Sequence, residues 1–234
     1  MTTCQPTRLL ILLPALVILA ATSSLANAAD NELTPKEQAA GWQLLFDGKS
    51  LTGWKNNDGK PLAEGIVQEG TINTHGCGGY ILVYDKEFAD FEFQCDVKMA
   101  PGDCNSGLFF WISDLNDPVM TGREAQIFSP PGTTAQDFGA IYDLVPPSKI
   151  ATKEPGTWNT MHLRCEGAKV AVTVNGEVVA EMDCDAWDQP GKRLDGTPHK
   201  FVRAIKDFAR KGYLGLQDHG ADVWFKNIKV REIK

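Results

Sequence analysis

One short segment of the sequence combines a carboxylate and an amide in a pattern typical of a β-strand. Residues 122–128 read Gly-Arg-Glu-Ala-Gln-Ile-Phe, so Glu124 and Gln126 alternate with the apolar Ala125 and Ile127. Because residues two apart share a face of a strand, Glu124 and Gln126 should project together while Ala125 and Ile127 enter the core. The polar face is either solvated, or it lines a cleft in which Glu124 serves as a base and Gln126 as a hydrogen-bond partner. The pattern alone leaves both interpretations open.

A histidine near the C-terminus is the second group that can do chemistry. His219 follows Gln217 and Asp218 at the end of a largely apolar stretch and precedes Gly220. A histidine beside an aspartate at a strand end acts as a proton carrier, as a metal ligand or simply as a turn residue. The local sequence contains no ligand spacing that identifies a metal, so all three interpretations stay open.

Other polar and aromatic residues suit the binding of a small polar ligand such as a sugar. Asn105 lies in a turn that leads into an apolar stretch, and Tyr142 lies in a loop that ends at Pro146. Each is a turn or packing residue in the simplest interpretation, but an amide and a phenol also bind sugar hydroxyls. Of the six tryptophans, Trp54 and Trp111 are the better candidates for a binding cleft, and most of the others are expected to be structural.

The elements that must position these residues are strands. Short alternating or apolar stretches separated by Gly, Pro, Asn and Asp recur from residue 41 to the C-terminus, and long 3.6-residue periods are nearly absent. The pair Asn175-Gly176 supplies the positive φ angles of a two-residue hairpin turn. The sequence therefore predicts an all-β sandwich or barrel in one domain, residues 29–234. Its clearest strands are 91–99, 107–112, 124–128, 160–165, 169–174, 177–182, 212–217 and 223–232.

Residues 1–28 have the features of a secretory signal peptide. Arg8 is followed by an apolar run over residues 9–21 and by Ala26-Asn27-Ala28, a small-residue cleavage pattern. The run is shorter than the roughly 20 residues that a membrane-spanning helix needs. We therefore expect cleavage after Ala28 and a periplasmic or secreted protein that has no membrane span afterwards.

The charge balance and the cysteines limit the partners of the mature chain. Loss of Arg8 leaves 22 basic side chains against 30 acidic ones, a formal charge of −8. Nucleic acids and anionic membranes are disfavoured because they require a basic surface, and no nucleotide cofactor is expected. Five cysteines remain after residue 28, without a Cys-x-x-Cys or Cys/His pattern that indicates zinc. An oxidising compartment permits one or two disulfides, whose pairing the sequence does not determine.

Five segments, in this order along the chain, resemble one family. They are residues 45–54 (Leu-Phe-Asp-Gly-Lys-Ser-Leu-Thr-Gly-Trp), 105–107 (Asn-Ser-Gly), 124–127 (Glu-Ala-Gln-Ile), 156–160 (Gly-Thr-Trp-Asn-Thr) and 215–220 (Gly-Leu-Gln-Asp-His-Gly). Together they are similar to the 3-keto-disaccharide hydrolase family, formerly a domain of unknown function. The similarity runs from about residue 41 to residue 234. Trp111 departs from the pattern, because many relatives carry a charged residue, commonly Arg, after the Asn-Ser-Gly strand.

The resemblance implies a concanavalin A-like jelly-roll sandwich of two antiparallel sheets and an enzyme that cleaves 3-keto-glycosides. Elimination of the aglycone and hydration of the product would together give net hydrolysis. On this view a base, Glu124 or His219, removes the C2 proton that the C3 ketone acidifies. The candidate substrate-binding residues are Gln126, Asn105, Tyr142, Trp54, Trp111 and Asp218. A divalent metal ion that stabilises the enolate would be held by Glu124, His219 and Asp218.

Two other functions remain open at this stage. A non-catalytic carbohydrate-binding module is the main alternative, because lectins use the same sandwich. An ordinary glycosidase or polysaccharide lyase ranks lowest, because the sequence lacks a Glu-x-Asp-x-x-Glu type of paired carboxylates.

Overall fold

Thirteen strands dominate the described part of the chain. The structure is a computed structural model that describes residues 1–2 and 29–234, so all but the first two residues of the predicted signal peptide lie outside it. The strands are β1 (Gln43–Leu44), β2 (Trp54–Asn56), β3 (Val67–Gln68), β4 (Thr71–Asn73), β5 (Ile81–Phe88), β6 (Phe91–Met99), β7 (Cys104–Ile112), β8 (Arg123–Ser129), β9 (Asn159–Glu166), β10 (Lys169–Val174), β11 (Glu177–Asp183), β12 (Gly212–Gln217) and β13 (Val223–Glu232). The helical segments among these residues are α1 (Pro35–Ala39), α2 (Pro118–Thr121) and the single 3-10 turns Cys184–Ala186 and Ile205–Asp207.

The strands form two antiparallel sheets. One sheet has the order β11-β10-β9-β6-β13-β4-β3, with β1 paired to β13, and the other has the order β2-β5-β12-β7-β8. Val174 pairs with Glu177 across the predicted turn, and Asn175 and Gly176 both have positive φ. The predicted jelly-roll sandwich of two antiparallel sheets is therefore confirmed, as is the hairpin.

The core lies between the two sheets and follows the two-residue period. On β6, Phe93, Cys95 and Val97 are buried while the residues between them are only half buried. Ala125 and Ile127 of β8 face the same core from the other sheet. Full burial of a large apolar side chain contributes about 1.5–3 kcal/mol, so this shared core fixes which face of β8 points outward.

A bulge in β7 changes the direction of Trp111. Tyr213 pairs with Ile112 and Gly215 with Phe109, so β7 has one more residue than β12 over this interval, and Trp111 has a φ of 52°. The extra residue places the Trp111 ring in the core on the same side as the Phe110 ring. The indole Nε1–H of Trp111 donates to the carbonyl of Ala89 at 2.7 Å.

Both tryptophans that were predicted to bind ligand are core residues. Trp54 is buried, its Nε1–H donates to the carbonyl of Leu45 at 2.7 Å, and its ring packs edge-on against Tyr84. Trp111 is fully buried. The prediction that Trp54 and Trp111 line a cleft is therefore wrong, because both indole rings fill the space between the sheets.

Two further observations concern membrane spans and disulfides. Within the described residues no helix is long and apolar enough to span a bilayer. The cysteines at positions 77, 95, 104, 165 and 184 are all buried free thiols.

The core position of Trp111 predicts a loss of stability on truncation. Trp111→Ala should lower the free energy of unfolding by about 3–5 kcal/mol, the usual cost of removing a large aromatic side chain from a core. Urea unfolding followed by circular dichroism measures this change. Trp224→Ala, which truncates a half-buried indole on β13, is the matched control and should cost much less. Equal losses in the two variants would contradict the core assignment.

Candidate active site

A small polar cavity lies on the face of the five-stranded sheet that points away from the core. Its volume is about 150 Å³. It is lined by Tyr80, Asn105, Val119, Glu124, Gln126, Tyr142, Lys200, Gln217 and His219. Glu124 and Gln126 thus share one face of β8 while Ala125 and Ile127 enter the core, which confirms the prediction made from their spacing.

The strand pairing of β8 places the carboxyl group of Glu124 over a glycine. Phe109 of β7 pairs with Glu124, and Gly107 pairs with Gln126. A Cβ atom at Gly107 would lie 2.1 Å from Glu124 Oε1 and 2.7 Å from its Cδ. Since no real Cβ approaches another atom that closely, the carboxyl can lie over β7 only because residue 107 has no side chain. The glycine of the Asn-Ser-Gly segment therefore provides the space that the Glu124 carboxyl occupies.

A loop pairs with the free edge of β8 and brings Tyr142 to the cavity. The backbone N–H of Tyr142 donates to the Glu124 carbonyl at 2.8 Å, and the N–H of Gly139 donates to the Gln126 carbonyl at 2.9 Å. In the opposite direction, Gln126 N–H donates to the carbonyl of Ala140 at 2.9 Å. These bonds continue the sheet beyond β8, so the predicted site residue Tyr142 lies beside the predicted base.

Several polar groups that face the cavity lack a protein partner. The Gln126 amide donates to Asn105 Oδ1 at 3.1 Å, and the Gln217 amide donates to the Tyr80 hydroxyl at 2.7 Å. The amide oxygens of Gln126 and Gln217 are buried and accept no hydrogen bond from the described residues. An unsatisfied buried polar group costs about 1–3 kcal/mol. The cavity is therefore built to receive donors from a ligand.

Burial controls the charge of the carboxyl group. Glu124 is 5% exposed, and among residues 29–234 its carboxyl has neither a hydrogen-bond donor nor an ion-pair partner within 4 Å. Desolvation raises the pKa of Glu124 to about 8, against a smaller opposing effect of the Lys200 charge. Burial raises the pKa of Tyr80 and of Tyr142, and the charge of Glu124 acts in the same direction on both.

Four residues of the cavity were missed by the sequence analysis as site residues: the polar Lys200, Tyr80 and Gln217 and the apolar Val119. Lys200 lies in the long polar stretch before residue 201, where no periodicity marks a functional side chain. Tyr80 precedes β5, a strand that the sequence patterns did not predict. Gln217 lies within the segment 215–220, and the two-residue period of β12 would have placed it on the same face as Gly215.

His219 and Asp218 separate at the end of β12. His219 is exposed at the mouth of the cavity, where its ring centroid lies 6.2 Å from that of Tyr80. Asp218 turns away, because its carboxylate accepts from the backbone N–H of Gly76 at 2.7 Å and of Gly220 at 2.9 Å. The prediction that Asp218 contacts substrate is therefore corrected: it is a turn residue that holds the 74–77 loop.

The predicted metal ligands do not form one cluster. Asp218 is engaged by backbone N–H groups outside the cavity, so Glu124, His219 and Asp218 do not converge. In the part of the chain that the structure describes, no three His, Cys, Asp or Glu side chains are placed to hold a metal ion. The predicted ligand set therefore does not fit. A divalent ion held by other donors stays a prediction, which elemental analysis of the purified protein tests.

Among the described residues, none that lines the larger clefts on the other sheet has a buried polar side-chain atom without a partner. The cleft beside Glu92 has a volume of about 740 Å³. Glu92, however, pairs with Arg164 and with Arg231, the latter at 2.6 Å. Because Glu92 is already paired with two arginines, it is not left free to bind a ligand. We therefore place the candidate active site at Glu124.

The raised pKa of Glu124 predicts how stability depends on pH. The native protein keeps this proton above pH 4.5, where the unfolded chain loses it, so stability should fall as pH rises from about 4.5 towards 8. The slope is on the order of 1 kcal/mol per pH unit. Glu124→Gln should flatten this decline in urea unfolding measured from pH 5 to pH 8. Glu181→Gln, an exposed position on β11, controls for the change of net charge. A wild-type slope in Glu124→Gln would contradict the burial of an uncompensated carboxyl.

Comparison with known proteins identifies the family of the chain. Residues 41–231 match the family described as the 3-keto-alpha-glucoside-1,2-lyase-like domain. A protein named 3-keto-disaccharide hydrolase, from Bacteroides thetaiotaomicron, is 26% identical to this chain over a match that covers 89% of this chain and 84% of the relative.

Two solved structures from Parabacteroides distasonis, each described as a putative glycosyl hydrolase, have a similar fold. Both are 28% identical to this chain; one has a TM-score of 0.72 and covers 82% of this chain and 99% of its own. The other has a TM-score of 0.71 and covers 88% of this chain and 100% of its own. The family match over residues 41–231 shows that the chain belongs to the family of 3-keto-alpha-glucoside-1,2-lyase-like domains.

Proposed function

We propose that this protein is an exported carbohydrate-active enzyme that cleaves 3-keto-glycosides by elimination and hydration. The observation that carries the proposal is the buried carboxyl of Glu124, which faces a cavity with two amide oxygens that accept no hydrogen bond from the described residues. Family membership and the name of the Bacteroides relative support the substrate class.

The ketone at C3 defines what the base must do. It acidifies the proton on C2, so a single base of raised pKa can remove that proton and form an enolate. Glu124 suits this role because its pKa is raised by burial to about 8 and the rigid strand β8 fixes its direction. The electron pair of the C2–H bond becomes the C2–C3 double bond as the C3 oxygen takes the negative charge.

Elimination and hydration complete the reaction. When the enolate returns to the ketone, its electrons form the C1–C2 double bond and the aglycone leaves C1 with its bonding electrons. The leaving oxygen needs a proton, and His219 at the mouth of the cavity is placed to exchange protons between aglycone and solvent. Water then adds at C1 and gives a proton to the imidazole of His219, which replaces the proton that went to the aglycone. Glu124 returns its proton to C2, so the sum of the steps is hydrolysis.

The remaining polar groups bind and orient the sugar. The unpaired amide oxygens of Gln126 and Gln217 accept from sugar hydroxyls. Asn105 fixes the amide of Gln126, and Tyr142, which also lines the cavity, offers a hydroxyl. The indole rings of Trp54 and Trp111 take no part, because they lie in the core.

The cavity differs from that of an ordinary glycosidase. Such enzymes place two carboxyl groups on either side of the glycosidic bond. Glu124 is the single carboxylate among the cavity-lining residues of the described chain. One base facing an acidified C–H bond suits elimination from a 3-keto-glycoside, whereas it leaves a glycosidase without its second group.

Export is part of the same proposal and has its own test. The features of residues 1–28 support cleavage after Ala28 and release into the periplasm or the medium. N-terminal sequencing of the protein from fractionated cells should find Ala29 as the first residue. An intact Met1 in the cytoplasmic fraction would contradict the proposal.

Loss of the Glu124 carboxylate should abolish most of the activity. With a chromogenic 3-keto-glucoside, Glu124→Gln should lower kcat by roughly 10²- to 10⁴-fold, the usual contribution of a positioned base. The wild-type kcat/KM should decline as pH falls below about 8, because the base becomes protonated. Deuterium exchange at C2 in heavy water should be lost together with turnover.

The outcomes separate the candidate functions. A wild-type protein that binds the 3-keto-glucoside but neither exchanges C2 hydrogen nor releases aglycone would be a lectin-like binding module. Cleavage of the unoxidised glucoside at the same rate would indicate an ordinary glycosidase. His219→Ala should lower turnover but retain C2 exchange, because the exposed imidazole acts on the leaving group. If His219→Ala loses exchange and Glu124→Gln keeps it, then the base is His219.

A further inference from the structure

Lys200 lines the cavity, but the elimination and hydration described for Glu124 and His219 do not use it. Its ammonium group lies 4.7 Å from the centroid of the Tyr142 ring and 5.0 Å from that of Phe201. Within residues 29–234 this group donates no hydrogen bond and has no carboxylate within 4 Å. Half-buried lysines ordinarily direct the ammonium group to water or to a counter-ion. Here it points into the cavity that contains Glu124.

The backbone of Lys200 is held by the loop that contains Tyr142 and Asp143. The backbone N–H of Lys200 donates to Asp143 Oδ2 at 2.7 Å. Arg193 pairs with the other carboxylate oxygen of Asp143, and its Nε–H donates to the Asp143 carbonyl at 3.0 Å. Asp143 directly follows Tyr142, which is bonded to the backbone of Glu124. Asp143 therefore ties residues 193–200 to the edge of β8.

The proposed elimination is favoured by a positive charge beside the C3 oxygen of the sugar. As Glu124 takes the C2 proton, negative charge develops on the C3 oxygen, and a donor aimed there accelerates the step. The amides of Gln126 and Gln217 already each donate one hydrogen bond to Asn105 and Tyr80. Lys200 carries three donors and is the one lysine or arginine among the lining residues described.

We propose that Lys200 is a catalytic residue whose ammonium group binds the C3 oxygen and stabilises the enolate. The inference rests on the proposed function. In the elimination, the C2–H bond breaks, its proton goes to Glu124, and the electron pair reaches the C3 oxygen beside the Lys200 ammonium. When the C3 carbonyl re-forms, the C1–O bond to the aglycone breaks. Lys200 remains an ammonium throughout and forms no covalent bond to the sugar.

The neighbouring charges agree with this assignment. Burial lowers the pKa of Lys200, while the charges of Glu124 and Asp143 raise it. The Lys200 ammonium and the Glu124 carboxylate each favour the charged form of the other. When Glu124 takes up the C2 proton it becomes neutral, and the enolate oxygen then supplies the negative charge beside Lys200.

The test compares two substitutions of Lys200. Lys200→Met removes the charge but keeps an unbranched apolar chain, and Lys200→Arg keeps the charge. Lys192→Met, at an exposed position of the same loop, is the matched control. All three are assayed with a chromogenic 3-keto-glucoside, and C2 deuterium exchange is followed by NMR. Thermal unfolding checks that each variant is folded.

We expect Lys200→Met to lower kcat and the rate of C2 exchange at least 100-fold with a change in KM below about fivefold, the sign of an interaction made mainly in the transition state. Lys200→Arg should recover at least a tenth of the lost rate, and Lys192→Met should match wild type.

Three results would overturn the role of Lys200. One is a folded Lys200→Met protein with wild-type kcat. A second is a loss confined to KM, which indicates binding alone. The third is a borohydride-trapped adduct of the sugar on Lys200, which indicates a covalent imine instead of an ammonium contact. A wild-type protein that converts no 3-keto-glucoside would instead overturn the proposed function itself, which separates the two failures.

Discussion

The arrangement on which the site depends is a carboxyl group lying directly over a residue without a side chain. Glu124 occupies the space that any Cβ at position 107 would fill, and it does so without a hydrogen bond or ion pair from the described chain. Burying an ionised carboxylate in this way is unfavourable, so the group holds its proton to a higher pH than an exposed glutamate does. The same unfavourable burial gives the carboxylate the basicity that removal of a carbon-bound proton requires.

The rest of the molecule keeps this group in place and leaves its surroundings polar. The sandwich core holds Ala125 and Ile127, which orients Glu124 and Gln126 outward, and loops at the edge of β8 bring Tyr142 and Lys200 against them. Elsewhere the buried charge of Glu92 is matched by Arg164 and Arg231. The contrast distinguishes a structural carboxylate from a reactive one: the first is fully paired by the protein, and the second is left for a ligand to pair.

The fold could be predicted from the sequence in most of its strands, because a two-residue period with turn residues between strands is a local signal. The alternation in β6 and the Asn175-Gly176 turn both appear in the structure as predicted. β5 escaped prediction because its apolar residues form a run at its start, followed by three exposed polar positions that break the alternation. An unbroken two-residue period in β7 would have pointed Trp111 away from the core, but a bulge adds one residue to the strand and turns the indole ring inward.

Some residues of the candidate site could likewise be predicted from the sequence, and others could not. The sequence by itself determined that Glu124 and Gln126 share one face, since the direction of neighbouring side chains in a strand is a property of the backbone. It also brought Asn105, Tyr142 and His219 into consideration, all of which line the cavity. Only the tertiary structure decided that Asp218 turns towards Gly76 and that Lys200, 76 positions after Glu124 in the chain, stands beside it. Such contacts depend on loops held by hydrogen bonds between residues far apart in the chain, here those of Asp143 with Arg193 and Lys200. The local sequence pattern does not predict these bonds.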